Sequence, residues 1–328
     1  MVRSQQPDIA SAYYIFYHYL SRPLNVAEIF GREAPLEIEI GFGLGDYLIR
    51  RAQGLAAKNF IGIDVEPMCV YRTLHKLSTI NQSLEGRGAV KNIRLLHMPA
   101  EVALERLFHQ KSVDRMYSLF PCPWPKKRHV KHRTFSKDFL RLVNSRLKRG
   151  GALMVVTDWW PYCEWIKDQA PRTGFAIEIR RINAKYQTKY ERKWRAGGQK
   201  RFYEILFSKV KHISVPVKED AVVRNYIVPQ FDPRQFCFKD ITGPTAIILK
   251  DFIFDARKKK GMVHLVVQEK SLVQYVWVMI APHAKGFKIS LANGNAVLPT
   301  EAVARAVSDV ARAARRIIRK RECAKKKK

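Results

Sequence analysis

Between Leu36 and about Val210, short apolar blocks alternate with longer stretches of amphipathic spacing. The blocks LEIEIG, FIGIDV (Phe60–Val65), IRLLHM, Met116–Phe120 and ALMVVTDW are predicted strands. Asp46–Ala57, Met68–Ile80, Glu101–His109 and Ser136–Leu147 carry the apolar spacing of helices. Arg149-Gly150-Gly151 reads as the C-cap of the last of these. Strands alternating with helices imply βαβ units and a largely parallel sheet covered on both faces, an α/β fold. Past about Lys211 the rhythm changes. Ile213–Ile227, Phe236–Ile241, Ala246–Phe254, Met262–Val267 and Val273–Ile280 read as strands. A last helix then carries Val303, Val307, Val310, Ala314 and Ile317 on one stripe, with Thr300 as its N-cap. The expected organisation is an N-terminal segment (residues 1–35), a first domain (residues 36–212) and a C-terminal α+β module (residues 213–328), without internal repeats.

Charge narrows the class of partner. Lys and Arg number 60 against 29 Asp and Glu, a formal net charge of +31 in 328 residues. With 47% apolar residues the chain can bury true cores, so the excess is not that of a disordered tail. Such a field attracts polyanions, nucleic acid first and a membrane surface second, although a generally basic proteome would leave the same imprint. The Arg and Lys opposite the apolar stripe of the last helix, with the KKKK ending, extend the expectation to the C-terminal module as an RNA-gripping accessory. The cysteines (Cys69, Cys122, Cys163, Cys237, Cys323) are scattered and lack a CxxC pair. That argues against a disulfide framework and a zinc knuckle, for no metal, and for a reducing, cytoplasmic setting. The N-terminal segment has no signal-type apolar core, and the longest apolar run, Val276–Ala281, is far too short to cross a bilayer. The pattern is compatible with a monomer or a homodimer.

The segment EIGFGLG places Gly41, Gly43 and Gly45 directly after a predicted strand and at the start of a predicted helix. Glycines let a backbone turn sharply and approach a ligand. Asp46 stands where dinucleotide folds carry their last glycine, and no lysine follows to make a phosphate-cradling loop. Glu39 precedes the first glycine; a carboxylate there disfavours a pyrophosphate and suits an ammonium group. Asp64 ends the second strand, where an acid accepts hydrogen bonds from ribose hydroxyls. A nucleoside carrying an amino acid, S-adenosylmethionine, fits both acids; a plain tight turn is the alternative.

FPCPWPKKRH, Phe120–His129, is a stiffened loop, since its prolines forbid a helix and remove ladder donors. Lys126, Lys127, Arg128, Lys131 and Arg133, with His129 and His132, form a cationic run that either neutralises phosphates or is a solvated face. Trp124 either stacks a base or anchors the loop locally.

EIGFGLG, FIGIDV, the FPxPWPKKRH loop, TDWWPY (Thr157–Tyr162) and TKYERK (Thr188–Lys193) follow one another in the order found in the bacterial tRNA (guanine-N7-)-methyltransferase family. The chain resembles that family from about Leu36 to Val210. The resemblance implies a class I, Rossmann-like methyltransferase that moves a methyl group from S-adenosylmethionine to N7 of the variable-loop guanosine, position 46, of tRNA. It implies Glu39, Gly41, Gly43, Gly45, Asp64, Pro99 and Ala100 at the cofactor, and Cys122, Asp158 and Glu191 at the reaction centre. Lys126, Arg128, Asp158, Thr188, Lys189 and Glu191 would face the tRNA. Two positions depart from the family pattern: Pro99-Ala100 stands in place of D-A, and Cys122 in place of the aspartate of F-P-D-P-W. The second departure keeps a non-catalytic tRNA-binding relative as the alternative. N7 of guanine has a free lone pair, so the reaction rests mostly on alignment and exclusion of water. Carboxylates are wanted to hold N1–H and the exocyclic amine. The plain alternatives are a helix N-cap for Asp158 and a solvated ion pair for Glu191.

Overall fold

The computed structural model describes residues 12–83, 89–199 and 201–315. The chain forms two compact units that divide between Lys218 and Glu219. In the first, α1 (Val26–Phe30) precedes β1 (Leu36–Ile40), α2 (Asp46–Gly54), β2 (Asn59–Asp64), α3 (Pro67–Ser83), β3 (Ile93–His97) and α4 (Ala100–Arg106). There follow β4 (Val113–Leu119), α5 (Lys137–Arg146), β5 (Leu147–Thr157), α6 (Trp160–Gln169), β6 (Phe175–Ile182), α7 (Lys189–Ala196) and β7 (Phe202–Lys209). Among the described residues these strands make one seven-stranded sheet in the order β3-β2-β1-β4-β5-β7-β6. The pairs from β3 to β5 are parallel, and β7 runs antiparallel to both its neighbours. This is the largely parallel α/β sheet expected from the alternation of blocks, and the Rossmann-like kind that the resemblance implies. The chain crosses from β1 outward to β2 and β3 and then back to β4, so the carboxyl ends of β1 and β4 flank a topological switch point, where such sheets bind ligands.

Helices cover both faces of this sheet, and all five residues of β1 are therefore buried although LEIEI alternates apolar and acidic side chains. The N-terminal segment adds to the β3 edge: Tyr14 bridges Leu95, and Ile15 N donates to Leu95 O at 2.9 Å.

The second unit contains β8 (Tyr226–Val228), β9 (Thr245–Asp255), β10 (Lys260–Glu269), β11 (Leu272–His283), β12 (Gly286–Leu291) and α8 (Glu301–Arg315). Its strands form an antiparallel sheet in the order β8-β12-β11-β10-β9. The α8 stripe of Val303, Val307 and Val310 is fully buried in the core that helix and sheet share. Thr300 Oγ1 accepts from Val303 N at 3.3 Å, the N-cap expected from the sequence. Ile317 and the KKKK ending lie outside the described residues.

Three elements differ from the sequence expectation. Arg149-Gly150-Gly151 is not a C-cap. The helix ends at Arg146, Leu147 turns extended and starts β5 at once, and Gly150 (φ 73°) kinks the strand where its register against β4 slips. Residues 213–225 and 236–240 are not strands. Side chains hold the former instead: Ile213 N donates to Asn144 Oδ1 at 2.8 Å and Arg146 Nη1 donates to Val215 O at 2.7 Å, while Pro216 has no N–H for a ladder. These bonds keep residues 213–218 on the first unit, which ends at Lys218 and not at residue 212. Finally, β6, β7 and β12 form ladders that the apolar blocks did not announce; β6 alternates half-buried and exposed positions at the edge of its sheet.

Candidate functional site

A cleft of about 210 Å³ opens beside the carboxyl ends of β1 and β4; Glu39, Gly41, Gly43, Tyr47, Phe120 and Lys189 are among its walls. Its chemistry is set by a contrast within β1. Glu37 and Glu39 point to the same face, and both are buried. Glu37 is fully paired: Arg51 Nη2 and Lys58 Nζ donate to it at 2.5 and 2.6 Å, and the Tyr117 hydroxyl at 2.9 Å. Burial pushes its carboxyl up, but these donors outweigh that and hold it below its ordinary value. Glu39 has weaker support: the Arg50 charge and a hydrogen bond from the Leu48 backbone lower its carboxyl but do not prevail. Burial first, then the nearby Asp64 carboxylate, raise its carboxyl well above the ordinary range. Its Oε2 is buried without a hydrogen-bond partner. A buried carboxylate oxygen with nothing to accept from is a site waiting for a donor, and a cationic donor above all.

The glycines divide by function. Gly41 (φ 71°) and Gly43 (φ 54°) adopt left-handed backbone, and a Cβ at either would meet nothing within 4 Å, so open space stands over both. Gly45 serves packing: a Cβ there would strike Thr73 Cγ2 at 2.5 Å. Asp64 stands behind the turn. Its Oδ2 accepts from Gly43 N at 2.8 Å and its Oδ1 from Glu66 N at 2.9 Å. It therefore clamps two cleft-facing turns together while each oxygen retains a lone pair. Glu66, for which no sequence motif gives a signal, lines the cleft itself and is exposed there. The buried, orphaned carboxyl, the open glycine turn and the acids at the end of β2 fit the ammonium, backbone-hugging main body and ribose of S-adenosylmethionine. Pro99 and Ala100 stand beyond β3, at the start of α4, and are not among the cleft walls.

The proline loop leaves β4 under strain. Phe120 (φ 57°) and Trp124 (φ 45°) both take left-handed backbone that costs a non-glycine residue about 1–3 kcal/mol. Arg133 holds them. Its Nε donates to Pro123 O at 2.8 Å and its Nη2 to Trp124 O at 3.3 Å. Its guanidinium lies 5.1–5.5 Å from the ring centroids of Trp159, Tyr162 and Trp165, an aromatic cage supplied by α6 and the residue before it. Trp124 packs against His132 (5.2 Å) and edge-on to His129 (5.6 Å), so it anchors the loop. Cys122 is an exposed free thiol on the span that Arg133 braces. Lys126 and Arg128 are exposed on the same loop, away from the cleft walls.

Asp158 is half-buried just past the end of β5, and burial raises its carboxyl. It is not a helix N-cap: α6 starts at Trp160 with Trp159 in the cap position. Glu191 is not a solvated acid either, being 1% exposed. Its carboxylate, expected beside the guanine, instead accepts from the backbone N–H groups of Lys185, Tyr186 and Gln187. Thr188 Oγ1 accepts from Glu191 N at 3.1 Å. Thr188-x-x-Glu191 thus has the spacing of a capping box, with the carboxylate reaching back past the cap. That signal was present in the sequence. It presents Thr188 and Lys189 to the cleft. The Arg133 cage carried no comparable signal, because its aromatics lie far along the chain. Among the described residues no group of His, Cys, Asp and Glu side chains could hold a metal ion, and no helix is long and apolar enough to cross a membrane.

A family model described as "Putative methyltransferase" matches residues 33–203. A tRNA (guanine-N(7)-)-methyltransferase of Chlorobium phaeobacteroides is 41% identical over 54% of this chain and 83% of its own length. Proteins of the same description from Thermus thermophilus and Aquifex aeolicus are 32% and 28% identical, over 87% and 91% of this chain and 90% and 98% of theirs.

Proposed function

The chain belongs to the tRNA (guanine-N7-)-methyltransferase family, and on that premise we propose that it transfers a methyl group from S-adenosylmethionine to N7 of a tRNA guanosine, the variable-loop position 46. The observation that carries the reading is Glu39: a buried carboxyl with an orphaned oxygen, beside a glycine turn with open space above it, calls for a ligand with an ammonium group. Once bound, S-adenosylmethionine supplies an electrophilic methyl group on a sulfonium.

The chain's own residues do the rest. Glu39 accepts from the ammonium and is held ionised by it, and Asp64 with Glu66 accepts from the ribose. Asp158 holds the guanine by its N1–H and exocyclic amine, which leaves the N7 lone pair free to point at the methyl group. No proton has to leave before attack, so the contribution of the site is alignment and exclusion of water. The braced proline loop forms one wall of that alignment, and Glu191 acts through the Lys185–Gln187 turn that it fixes. Lys126, Arg128 and Lys189 neutralise tRNA phosphates. The non-catalytic alternative is not favoured. A thiol at Cys122 removes one hydrogen-bonding acid without removing any group that the chemistry must deprotonate.

The test is transfer of labelled methyl from S-adenosylmethionine to bulk tRNA, followed by nucleoside analysis. Label in 7-methylguanosine that maps to the variable loop is expected; label in another nucleoside, or none, refutes the assignment.

A further inference from the structure

Helix α7 carries a surface that begins at the cofactor cleft and continues beyond it, outside the core. It is pinned at three points: the Thr188–Glu191 cap, an Arg192 Nη2–Asp46 Oδ2 ion pair of 3.0 Å, and, past its end, a bond from Gln199 Nε2 to Asp158 O at 3.3 Å. The helix therefore runs from the cleft, where Lys189 and Tyr190 form part of the wall, towards the end of β5 that bears Asp158. Its single acid, Glu191, is buried inward. Outward, Tyr190 and Trp194 are 47% and 37% exposed and lie one helical turn apart. Lys189 and Lys193 form the neighbouring ridge, with Lys193 Nζ 5.3 Å from the Trp194 ring centroid.

Two large rings are held partly in water on a pinned helix whose own exposed charges are all positive, and packing into the core does not account for their exposure. They match what an unstacked polynucleotide needs: aromatic faces for bases and cations for the phosphates between them. We propose that Tyr190 and Trp194 are a stacking platform for unpaired tRNA bases next to the target guanosine, with Lys189 and Lys193 on the adjoining phosphates. The proposal rests on the tRNA reading above and deepens it. N7 lies on an edge of the base, and a platform beside the cleft would hold the neighbouring unpaired bases while that edge is presented to the cofactor.

The test uses the full chain and bulk tRNA. Trp194→Ala and Tyr190→Ala should each weaken tRNA binding about tenfold or more, the size of a lost base–aromatic stack. Trp194→Phe and Tyr190→Phe should stay within about threefold of wild type, because every base stacks on either ring. The log–log salt slope should be unchanged in the aromatic variants and fall by about 0.7–0.9 in Lys193→Ala. Calorimetric S-adenosylmethionine affinity should not move in Trp194→Ala. Fluorescence gives a readout independent of any Ala variant: the emission that distinguishes wild type from Trp194→Phe should be quenched by tRNA. A wild type that methylates tRNA while its Ala variants bind tRNA unchanged, or whose Trp194 emission ignores tRNA, overturns the platform and leaves the activity standing. A wild type that binds no tRNA overturns both.

Discussion

Replacing Arg133 with Met keeps most of the side-chain volume and removes the fork and the charge. The loss can be built up from its contacts. The bond to Pro123 O at 2.8 Å is charge-assisted and worth about 1.5–2 kcal/mol, and the bond to Trp124 O at 3.3 Å lies at the long limit and adds about 0.5–1 kcal/mol. The aromatic cage adds about 0.5–1 kcal/mol for a half-exposed cation. The total, about 2.5–4 kcal/mol, matches or exceeds the roughly 1–3 kcal/mol of strain held at Trp124, so without it this part of the loop should relax toward ordinary backbone. Relaxation displaces the wall around the reacting atoms, and kcat at saturating tRNA should fall by about 10- to 100-fold. Tm should drop by less than the roughly 5–16 °C that this total would give at about 2–4 °C per kcal/mol, because the relaxing loop releases strain that offsets part of the loss. Arg133→Lys keeps a charge over the rings but offers no planar fork, so its kcat should lie between the two. Single-turnover methyl transfer, run beside S-adenosylmethionine calorimetry, separates loop placement from cofactor binding. An Arg133→Met protein with wild-type kcat would show that the brace has no part in alignment.

Glu39→Gln should weaken S-adenosylmethionine binding by about 1.5–3 kcal/mol, the worth of a hydrogen bond between charged groups, and unchanged calorimetry would remove Glu39 from the cofactor site. The raised Glu39 carboxyl also fixes the sign of a pH effect: above its ordinary value the folded state holds a proton that the unfolded state has lost, so stability without cofactor falls as pH rises towards the raised value. Melts between about pH 5 and pH 8 should show that decline in wild type and less of it in Glu39→Gln; identical slopes would contradict the assignment. Cys122→Asp should raise kcat/KM for tRNA, each tenfold gain being about 1.4 kcal/mol of transition-state stabilisation, and a slower variant would mean that the thiol has a role of its own. Replacing Lys126, Lys127 and Arg128 together with Ala should lower the salt slope of tRNA binding by about 2–3, and an unchanged slope would make that run a solvated face.

The sequence by itself determined what short-range rules govern. The alternation of apolar blocks specified the parallel sheet, because covering both faces of such a sheet needs little beyond local pattern. The left-handed glycines of the EIGFGLG turn and the Thr300 cap were legible for the same reason, since each works within a few residues of itself. The edge strand β6 was hidden because its half-exposed positions give no strong block. Pairing over long separations was decided by tertiary structure alone. Glu37 and Glu39 are identical in type and adjacent on one face. Arg51, Lys58 and Tyr117 arrive from other elements to satisfy the first, and no such donors reach Oε2 of the second. Arg133 reads in sequence as one more cation in a basic run, and only the fold brings Trp159, Tyr162 and Trp165 around it. The free energy of a buried charge depends on which donors stand beside it, and which donors stand there is a property of the fold.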